Sequence, residues 1–303
     1  MKKILALGIA IAMLFIMAIP ATAVNMINYT APSGTPALDG VKDNFYGEWI
    51  PINTIHSFDG TETGATGKFA FAWDATAIYI IAEVVDTTPN HEHNDAHQRD
   101  SVEVFFDWYN TGVHAETGEG PFWLIRLASD PDRAGEEGVT GFTNNYEGSG
   151  MNWGNNPANM GATRATAPLN GSYNNGYIVE AKIPIAEVEG GMVLAEGVQI
   201  RFCLAINDNQ GEGRATGAYP AHVEADGSWN NAENHGYIMT LAAAPAAGGD
   251  TGGGGNEDVV VVTPPPANNG VSNPVVGDSA LVMIMLIALL GAAVITIKKV
   301  KVK

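Results

Sequence analysis

The sequence has a single cysteine, Cys203, among 303 residues, so no disulfide can form within one chain. The folded part must therefore be held by its apolar core, and a segment of roughly 200 residues can bury such a core without crosslinks. Cys203 stands among strand-like apolar residues, which predicts a core position rather than a nucleophile. The sequence also lacks a Gly-x-Ser-x-Gly motif and a phosphate-binding loop, so it offers no recognisable catalytic machinery.

Basic residues are scarce, because 15 Lys and Arg stand against 33 Asp and Glu. Two basic residues lie at the start of the chain and four at its end, which leaves nine between them and a charge of about −24 on this middle part. Such a charge argues against nucleic acid and anionic lipid surfaces as partners. The excess of acid serves solubility or, outside the cell, the binding of calcium, since hard cations prefer carboxylate oxygens.

Long apolar runs are missing from the interior of the chain and occur only near its two ends. In residues 1–23, Lys2 and Lys3 precede an apolar run and a small-residue triplet that ends at Ala23. This order is typical of a secretory signal peptide, and we expect cleavage after Ala23. The rest of the chain is therefore predicted to be exported.

The C-terminal apolar run predicts a membrane anchor. Residues 279–297 carry no charge and precede a basic tail at 298–303, which is the pattern of one transmembrane helix with a cytoplasmic end. Residues 242–278 are rich in Ala, Gly and Pro, which predicts a linker between the folded part and the membrane. We expect the protein on the extracellular face of the membrane or in the cell wall, held by this single anchor.

The segment Asn273–Asp278 resembles the wall-sorting signals of Gram-positive surface proteins, with its Pro and Gly, the apolar span and the basic tail. In that family, sortase cuts after a threonine in the fourth place, which is Val276 here. The signal is therefore degenerate. Sortase is a candidate partner, whereas retention in the membrane needs no enzyme.

The middle of the chain, residues 24–241, shows the patterns of an all-β protein. Apolar alternation predicts a hairpin of strands 68–73 and 78–85 around a turn at 74–76, and five further strands. Gly-, Asn- and Asp-rich loops separate them, and no long helical pattern interrupts them. We therefore predict an antiparallel two-sheet β-sandwich. The five further strands are expected at 101–108, 122–128, 177–183, 199–207 and 236–241.

Five short motifs stand out in this region: Leu38–Asp43, Ala70–Asp74 with Ile78–Ile80, Asp100–Phe105, Gly176–Ala181 and Ile206–Asp208. In this order and spacing they resemble carbohydrate-binding module family 9, a DOMON-like β-sandwich first known as an appendage of xylanases. The resemblance covers roughly residues 36–241. It implies a non-catalytic module that binds polysaccharide or oligosaccharide, with plant polysaccharide fragments as the expected glycan.

The resemblance also implies a sugar slot on one sheet, lined by stacking aromatics and polar side chains. Trp229 matches one stacking tryptophan, and Glu103 matches a hydroxyl-binding carboxylate. The other tryptophan position is His97, and the arginine and asparagine positions fall at about Leu124 and Arg126, so part of the family's site is altered. Asp226, near Trp229, is a further candidate. The family's structural calcium points to Asp39, Asp43 and Asp86 as candidate ligands, since carboxylates gathered at strand ends suit this cation.

Three alternatives stay open at this point. His91, His93 and His97 have a spacing that could enclose zinc or copper. Related sandwich domains bind b-type haem through Met and His or Lys, and Met151, Met160 and Met239 are available, which would make a redox protein. The third alternative is a structural protein of the cell envelope that binds other proteins.

Overall fold

The computed structural model has thirteen β-strands within the residues that it describes. Those residues are 26–112, 121–133, 135–144, 156–188, 190–223 and 231–243. The strands make two sheets of eight and five strands.

The eight-stranded sheet has the order β1-β13-β11-β6-β7-β8, and β12 joins it by pairing with both β11 and β3. Its central strand is the long β11, which pairs with β6, β12 and β13. The strands are β1 (Ile27–Ala31), β3 (Thr54–Ser57), β6 (Ser101–Asp107), β7 (Phe122–Ala128), β8 (Val139–Asn144), β11 (Gln199–Asn209), β12 (Arg214–Tyr219) and β13 (Tyr237–Leu241).

The five-stranded sheet has the order β2-β4-β5-β10-β9 and is antiparallel throughout. Its β4–β5 hairpin turns at Asp74, whose Oδ1 accepts hydrogen bonds from the backbone N–H groups of Thr76 and Ala77. An Asp side chain that binds the backbone two residues on is a common turn former. The strands are β2 (Ile50–Ile52), β4 (Thr66–Trp73), β5 (Ala77–Val85), β9 (Thr163–Pro168) and β10 (Gly176–Pro184).

The predicted all-β sandwich and its seven predicted strands are confirmed, but the sandwich is not wholly antiparallel. Strand β1 pairs in parallel with β13, with Ile27 opposite Tyr237 and Ala31 opposite Leu241. Parallel pairing requires a long connection between the two strands, and nearly the whole domain separates these two. Strands β1, β2, β3, β8, β9 and β12 were not predicted.

The main core lies between the two sheets, where each contributes its inward side chains. Its aromatic contacts include the stacked pair Phe106 and Trp108, the edge-on Trp123 and the Phe71–Phe202 pair. A second apolar cluster lies on the outer side of the eight-stranded sheet, where Val223 and Ala232 cover Phe105 and Cys203. Cys203 is fully buried there, as the sequence predicts.

Every helix in the described part of the chain is a 3-10 helix of three or four residues. None is long and apolar enough to cross a membrane. The predicted signal peptide, transmembrane helix and basic tail, and the linker beyond Ala243, lie outside the described residues. The 3-10 helices are Ala96–Gln98, Gly135–Glu137, Pro157–Met160, Leu169–Gly171, Tyr173–Asn175 and Ala232–Asn234.

Candidate functional site

Polar side chains gather on the outer side of the eight-stranded sheet, near the end where β6 begins. Alternation along β6 directs Val102 and Val104 into the core and turns Ser101 and Glu103 outward. The neighbouring strands place further polar residues beside these two, because Glu103 pairs with Arg126 on β7 and Ser101 pairs with Asn207 on β11. We call this region the polar face; it consists of Phe58, Ser101, Glu103, Arg126, Asn207 and Arg214.

The centre of the polar face is a buried ion pair. Arg126 Nη2 and Nε lie 2.5 and 2.6 Å from Glu103 Oε1, and the two residues are only 6% and 3% exposed. Burial alone would raise the pKa of Glu103, but the positive charges of Arg126 and Arg214 and a hydrogen bond from Asn207 outweigh it. The pKa of Glu103 is therefore below its ordinary value, and the side chain is an ionised acceptor in a fixed position.

A β-bulge brings Arg214 onto the polar face. The β11–β12 register pairs Asp208 with Thr216 but Asn209 with Arg214, so Ala215 is an extra residue. Such a bulge reverses the side-chain alternation, and Arg214 therefore points outward although Thr216 and Ala218 point inward. Arg214 Nη1 donates to Asn207 Oδ1 at 3.0 Å, and Asn207 Nδ2 donates to Ser101 Oγ at 3.1 Å.

Phe58 supplies an exposed aromatic ring on the same face. It follows β3, and its backbone N–H donates to Ala215 O at 2.9 Å, which extends the pairing of β3 with β12. The ring packs beside Gly217, where an added Cβ would stand 3.0 Å from Phe58 Cε2. The Arg214 guanidinium lies over the ring at 4.1 Å from its centroid. Phe58 nevertheless remains 48% exposed. Phe58 was not predicted as a site residue, although a phenylalanine within the polar segment Ser57–Gly60 is a visible signal in the sequence.

His97 is placed at the border of the polar face by the 3-10 helix Ala96–Gln98. Gln98 Oε1 accepts a hydrogen bond from the Arg214 backbone at 2.8 Å, and Gln98 Nε2 lies 2.7 Å from His97 Nε2. Partial burial and the nearby charges of Arg126 and Arg214 lower the pKa of His97. The structure thus brings His97, Glu103 and Arg126 together, whereas the predicted Trp229 and Asp226 lie outside the described residues.

A buried acidic cluster lies at the same end of the sandwich. Asp86 follows β5, Asp100 precedes β6 and Asp208 belongs to β11, and their carboxylate oxygens approach within 4.8 Å of one another. Burial, together with the negative charge of Asp86, raises the pKa of Asp100 to about 9. Burial also raises the pKa of Asp86. The ionised form is therefore disfavoured at both Asp86 and Asp100.

The cluster has oxygens that suit a hard cation. Asp86 Oδ2 and Asp208 Oδ1 are buried and accept no hydrogen bond from the residues that the structure describes. The other oxygens are held in place, since Asp86 Oδ1 accepts from Thr88 N and Asp208 Oδ2 accepts from Ala65 N and Thr216 Oγ1. Both Asp100 oxygens accept from backbone N–H groups, those of Asn90 and Asn209. Buried oxygens without a donor are the group that a calcium ion would satisfy.

The other two predicted calcium ligands lie elsewhere. Asp39 Oδ1 accepts from Val41 N at 2.9 Å and Asp43 Oδ2 accepts from Ala37 N at 2.8 Å, so both carboxylates stabilise local turns. Among the described residues only Asp86, of the three predicted ligands, joins an acidic cluster. Asp100 and Asp208 were missed as ligands, although both stand in motifs that were recognised.

The structure does not gather the three histidines or the methionines into a metal site within its described part. His91 Nδ1 lies 2.9 Å from Ser129 Oγ, and His93 Nδ1 accepts from Asp95 N at 3.0 Å. His97 instead contacts Gln98, so each of the three imidazoles has a different partner. Met239 is fully buried in the core and Met160 packs against it. Met151 lies outside the described residues.

Comparison with known proteins identifies one family. The model of the family described as carbohydrate family 9 binding domain-like matches residues 38–242 of the chain. An exoglucanase, XynX, from Acetivibrio thermocellus is 27% identical over 210 residues, which are 69% of this chain and 17% of that protein. Endo-1,4-beta-xylanase A from Thermoanaerobacterium saccharolyticum is 26% identical, over 69% of this chain and 16% of the xylanase. The chain thus matches only a small part of these relatives.

Solved structures show the same fold. A carbohydrate binding module family 9 from Caldicellulosiruptor kristjanssonii in complex with cellotriose superposes with a TM-score of 0.55 and 20% identity, covering 73% of this chain and 96% of that chain. The structure of a module from the same organism with glucose gives a TM-score of 0.54, again at 20% identity, and covers 98% of that chain. At this identity the likeness concerns the fold alone.

Proposed function

Because the chain belongs to the carbohydrate family 9 binding domain-like family, we propose that it is a non-catalytic module that binds glycan on its polar face. One observation carries the proposal: an ionised, buried Glu103 is held by Arg126 on the same face as an exposed Phe58. A sugar presents an apolar C–H face to an aromatic ring and hydroxyl groups to fixed charged groups. The polar face offers both kinds of contact.

The spacing of the carboxylates favours binding over hydrolysis. Glycoside hydrolysis needs two carboxyl groups about 5–9.5 Å apart, one on each side of the bond. Glu103 is the only carboxylate on the polar face among the described residues. Asp107 is the next outward acid on β6, four residues away and thus about 13 Å along the strand. Its oxygens already accept hydrogen bonds from Thr111 Oγ1 and Gly112 N.

The expected ligands are β-linked glucan or xylan fragments. The relatives are named as an exoglucanase and xylanases, and the two family 9 structures contain cellotriose and glucose. We expect modest affinity, because the ligand gains a few hydrogen bonds and one or two aromatic contacts while it loses its own freedom.

Titration calorimetry of the full chain with cellotriose tests this function. We expect the unchanged protein to bind cellotriose. Trp229→Ala should abolish this binding, because Trp229 matches a stacking tryptophan of the family, and Trp49→Ala should leave it intact. Trp49 is the matched control because it contacts Lys42 and Lys68 at the outer side of the five-stranded sheet. Absence of heat with cellotriose and xylotriose, together with no retention on insoluble cellulose or xylan, would reject the function.

A calcium ion bound by Asp86, Asp100 and Asp208 completes the proposal. Its two positive charges would offset most of the negative charge of three buried carboxylates that come from three separate strands or strand ends. The segment between Asp86 and Asp100 carries His97, so the ion would also fix the border of the polar face. Calorimetric titration of the chelator-treated protein with CaCl₂ measures this directly, and the absence of binding in the millimolar range and below would contradict it.

The chain is further proposed to be exported and held at the cell surface. The support is the sequence pattern: the signal-like residues 1–23, the apolar residues 279–297 and the basic tail. Protease treatment of intact cells should remove the domain and leave a membrane-bound fragment. Release of the domain by cell-wall hydrolases instead would favour cleavage by sortase in the segment around Gly277.

A further inference from the structure

The charges of the polar face do not cancel. Glu103 forms an ion pair with Arg126. Arg214 forms no ion pair within the described part of the chain, and its guanidinium contacts only an amide oxygen and an aromatic ring. The face therefore has one positive charge in excess, in a chain whose acidic residues outnumber the basic ones by more than two to one.

Arg214 is also held in position before any ligand arrives. The bulge at Ala215 turns it outward, its Nη1 donates to Asn207, and its backbone N–H donates to Gln98. The guanidinium plane lies over Phe58 at 4.1 Å from the ring centroid. A side chain held in this way loses little further freedom on binding, and its remaining N–H groups form a planar fork that matches a carboxylate.

Building on the proposed glycan-binding function, we propose that Arg214 and Phe58 form a subsite for a uronic acid residue, with the sugar carboxylate on the guanidinium. Neutral sugars offer only hydroxyl groups, which do not neutralise the excess charge. A uronate offers two carboxylate oxygens for the guanidinium and the C–H groups of its ring for the exposed part of Phe58. The recognised class is therefore acidic glycan, such as glucuronate-bearing xylan.

Cellobiose and cellobiouronic acid are the probes, because they differ only at C6 of one residue. In calorimetric titrations of the full chain, we expect cellobiouronic acid to bind about tenfold more tightly, the effect of one charge-assisted hydrogen-bonded pair. Arg214→Gln should abolish this preference, which is measured as the ratio of the two affinities of the same variant and therefore does not depend on how strongly that variant binds cellobiose.

Two further variants separate a local contact from a general effect of charge. Lys182→Gln removes one positive charge from the outer side of the other sheet, where Lys182 lies over Tyr79, and should leave the preference unchanged. Arg214→Lys keeps the charge but loses the planar fork, so it should retain only part of the preference. The measurement on the unchanged protein is decisive even if a variant folds poorly.

The possible results separate the two proposals. Equal binding of cellobiose and cellobiouronic acid by the unchanged protein overturns the uronate subsite and leaves glycan binding intact. A preference that survives Arg214→Gln also overturns it. Failure to bind either disaccharide, cellotriose or insoluble polysaccharide rejects the glycan-binding function, and the subsite with it.

Discussion

The two sheets each carry a buried glutamate on their outer side, and the two glutamates differ in almost everything else. Glu103, on the eight-stranded sheet, is bound by the Arg126 side chain, and its pKa is lowered. Glu180, on the five-stranded sheet, accepts hydrogen bonds from the backbone N–H groups of Asp39 and Gly40 and from Tyr46 Oη. Its burial outweighs these hydrogen bonds and raises its pKa.

The difference lies in what covers each carboxylate. The segment from Leu38 to Trp49 packs on the five-stranded sheet, over Ala70, Ala72 and Ile81, so Glu180 joins that segment to the sheet. Glu103 instead belongs to a row of charged side chains beside an exposed ring. The two buried glutamates thus differ in their partners, in what covers them and in the direction of their pKa shifts.

Neutralising each glutamate should give the largest contrast in stability. Glu103→Gln leaves Arg126 buried without its counter-charge, which we expect to cost about 3–5 kcal/mol in the free energy of unfolding. Glu180→Gln should cost about 1 kcal/mol, because the fold already disfavours the ionised form and the amide oxygen can still accept hydrogen bonds. Urea unfolding followed by tryptophan fluorescence measures both. Equal losses would show that the two carboxylates are equivalent.

If the proposed calcium ion is bound, its removal should loosen the end of the sandwich that carries the polar face. Chelation of an ion present at about 100 times its Kd is expected to cost about 2.7 kcal/mol of stability. Amide hydrogen exchange should become faster between Asp86 and Asp100 and stay unchanged between Leu38 and Trp49. The matched variant Asp208→Asn should reproduce the effect of the chelator and abolish further sensitivity to it.

Substitution of an aromatic residue on the outer side of each sheet should have different effects: one variant should lose glycan affinity and the other should lose stability. Phe58→Ala is expected to weaken glycan binding by about 0.5–1.5 kcal/mol, the usual size of an aromatic contact. It should change unfolding little, because the ring is half-exposed. Trp49→Ala should lower stability and leave affinity unchanged. Calorimetric binding and thermal unfolding of both variants decide the matter, and weaker binding by the Trp49 variant would contradict the assignment of the polar face.

The smallest expected effect is an opposite dependence of stability on pH. Since the pKa of Glu103 is lowered in the folded state, its contribution is present above the unfolded pKa of about 4.5 and is lost as the pH falls toward the folded value. Since the pKa of Glu180 is raised, its contribution is present below about 4.5 and is lost as the pH rises through the folded value. The stability of the unchanged protein relative to Glu103→Gln should therefore rise with pH, and relative to Glu180→Gln it should fall. Slopes of the same sign in the two series of thermal unfolding curves would refute this.

Local patterns were sufficient to predict the strands that form the centres of both sheets. The runs around Phe71 and Ile80 alternate clearly, and Asp74 between them forms the predicted turn. Strand β12 was not predicted, because it carries Gly217 and its stability comes from pairing with β11 and β3. Its partner β3 is only four residues long and contains His56, so neither strand has a distinct signal of its own.

Some residues of the candidate site could likewise be predicted from local patterns, and others could not. Glu103 and Arg126 lie on neighbouring predicted strands, and alternation together with the family resemblance was sufficient to select them. Arg214 reaches the polar face through a bulge, and Phe58 through a pairing between strands that are distant in sequence. Asp86, Asp100 and Asp208 meet only after folding, since more than 100 residues separate the first two from the third. Tertiary pairing, rather than any local pattern, brings these residues together.

The parallel pair of β1 and β13 determines how the domain responds to tension along its own chain. The chain enters β1 at Ile27 and leaves β13 at Leu241, and these residues lie at opposite ends of the paired strands. A pull on both ends therefore slides the two strands past each other, and the five residue pairs share the load. Antiparallel strands with both ends on one side would instead open like a zipper, one pair at a time. The domain is thus arranged to withstand a force applied between the start of β1 and the end of β13.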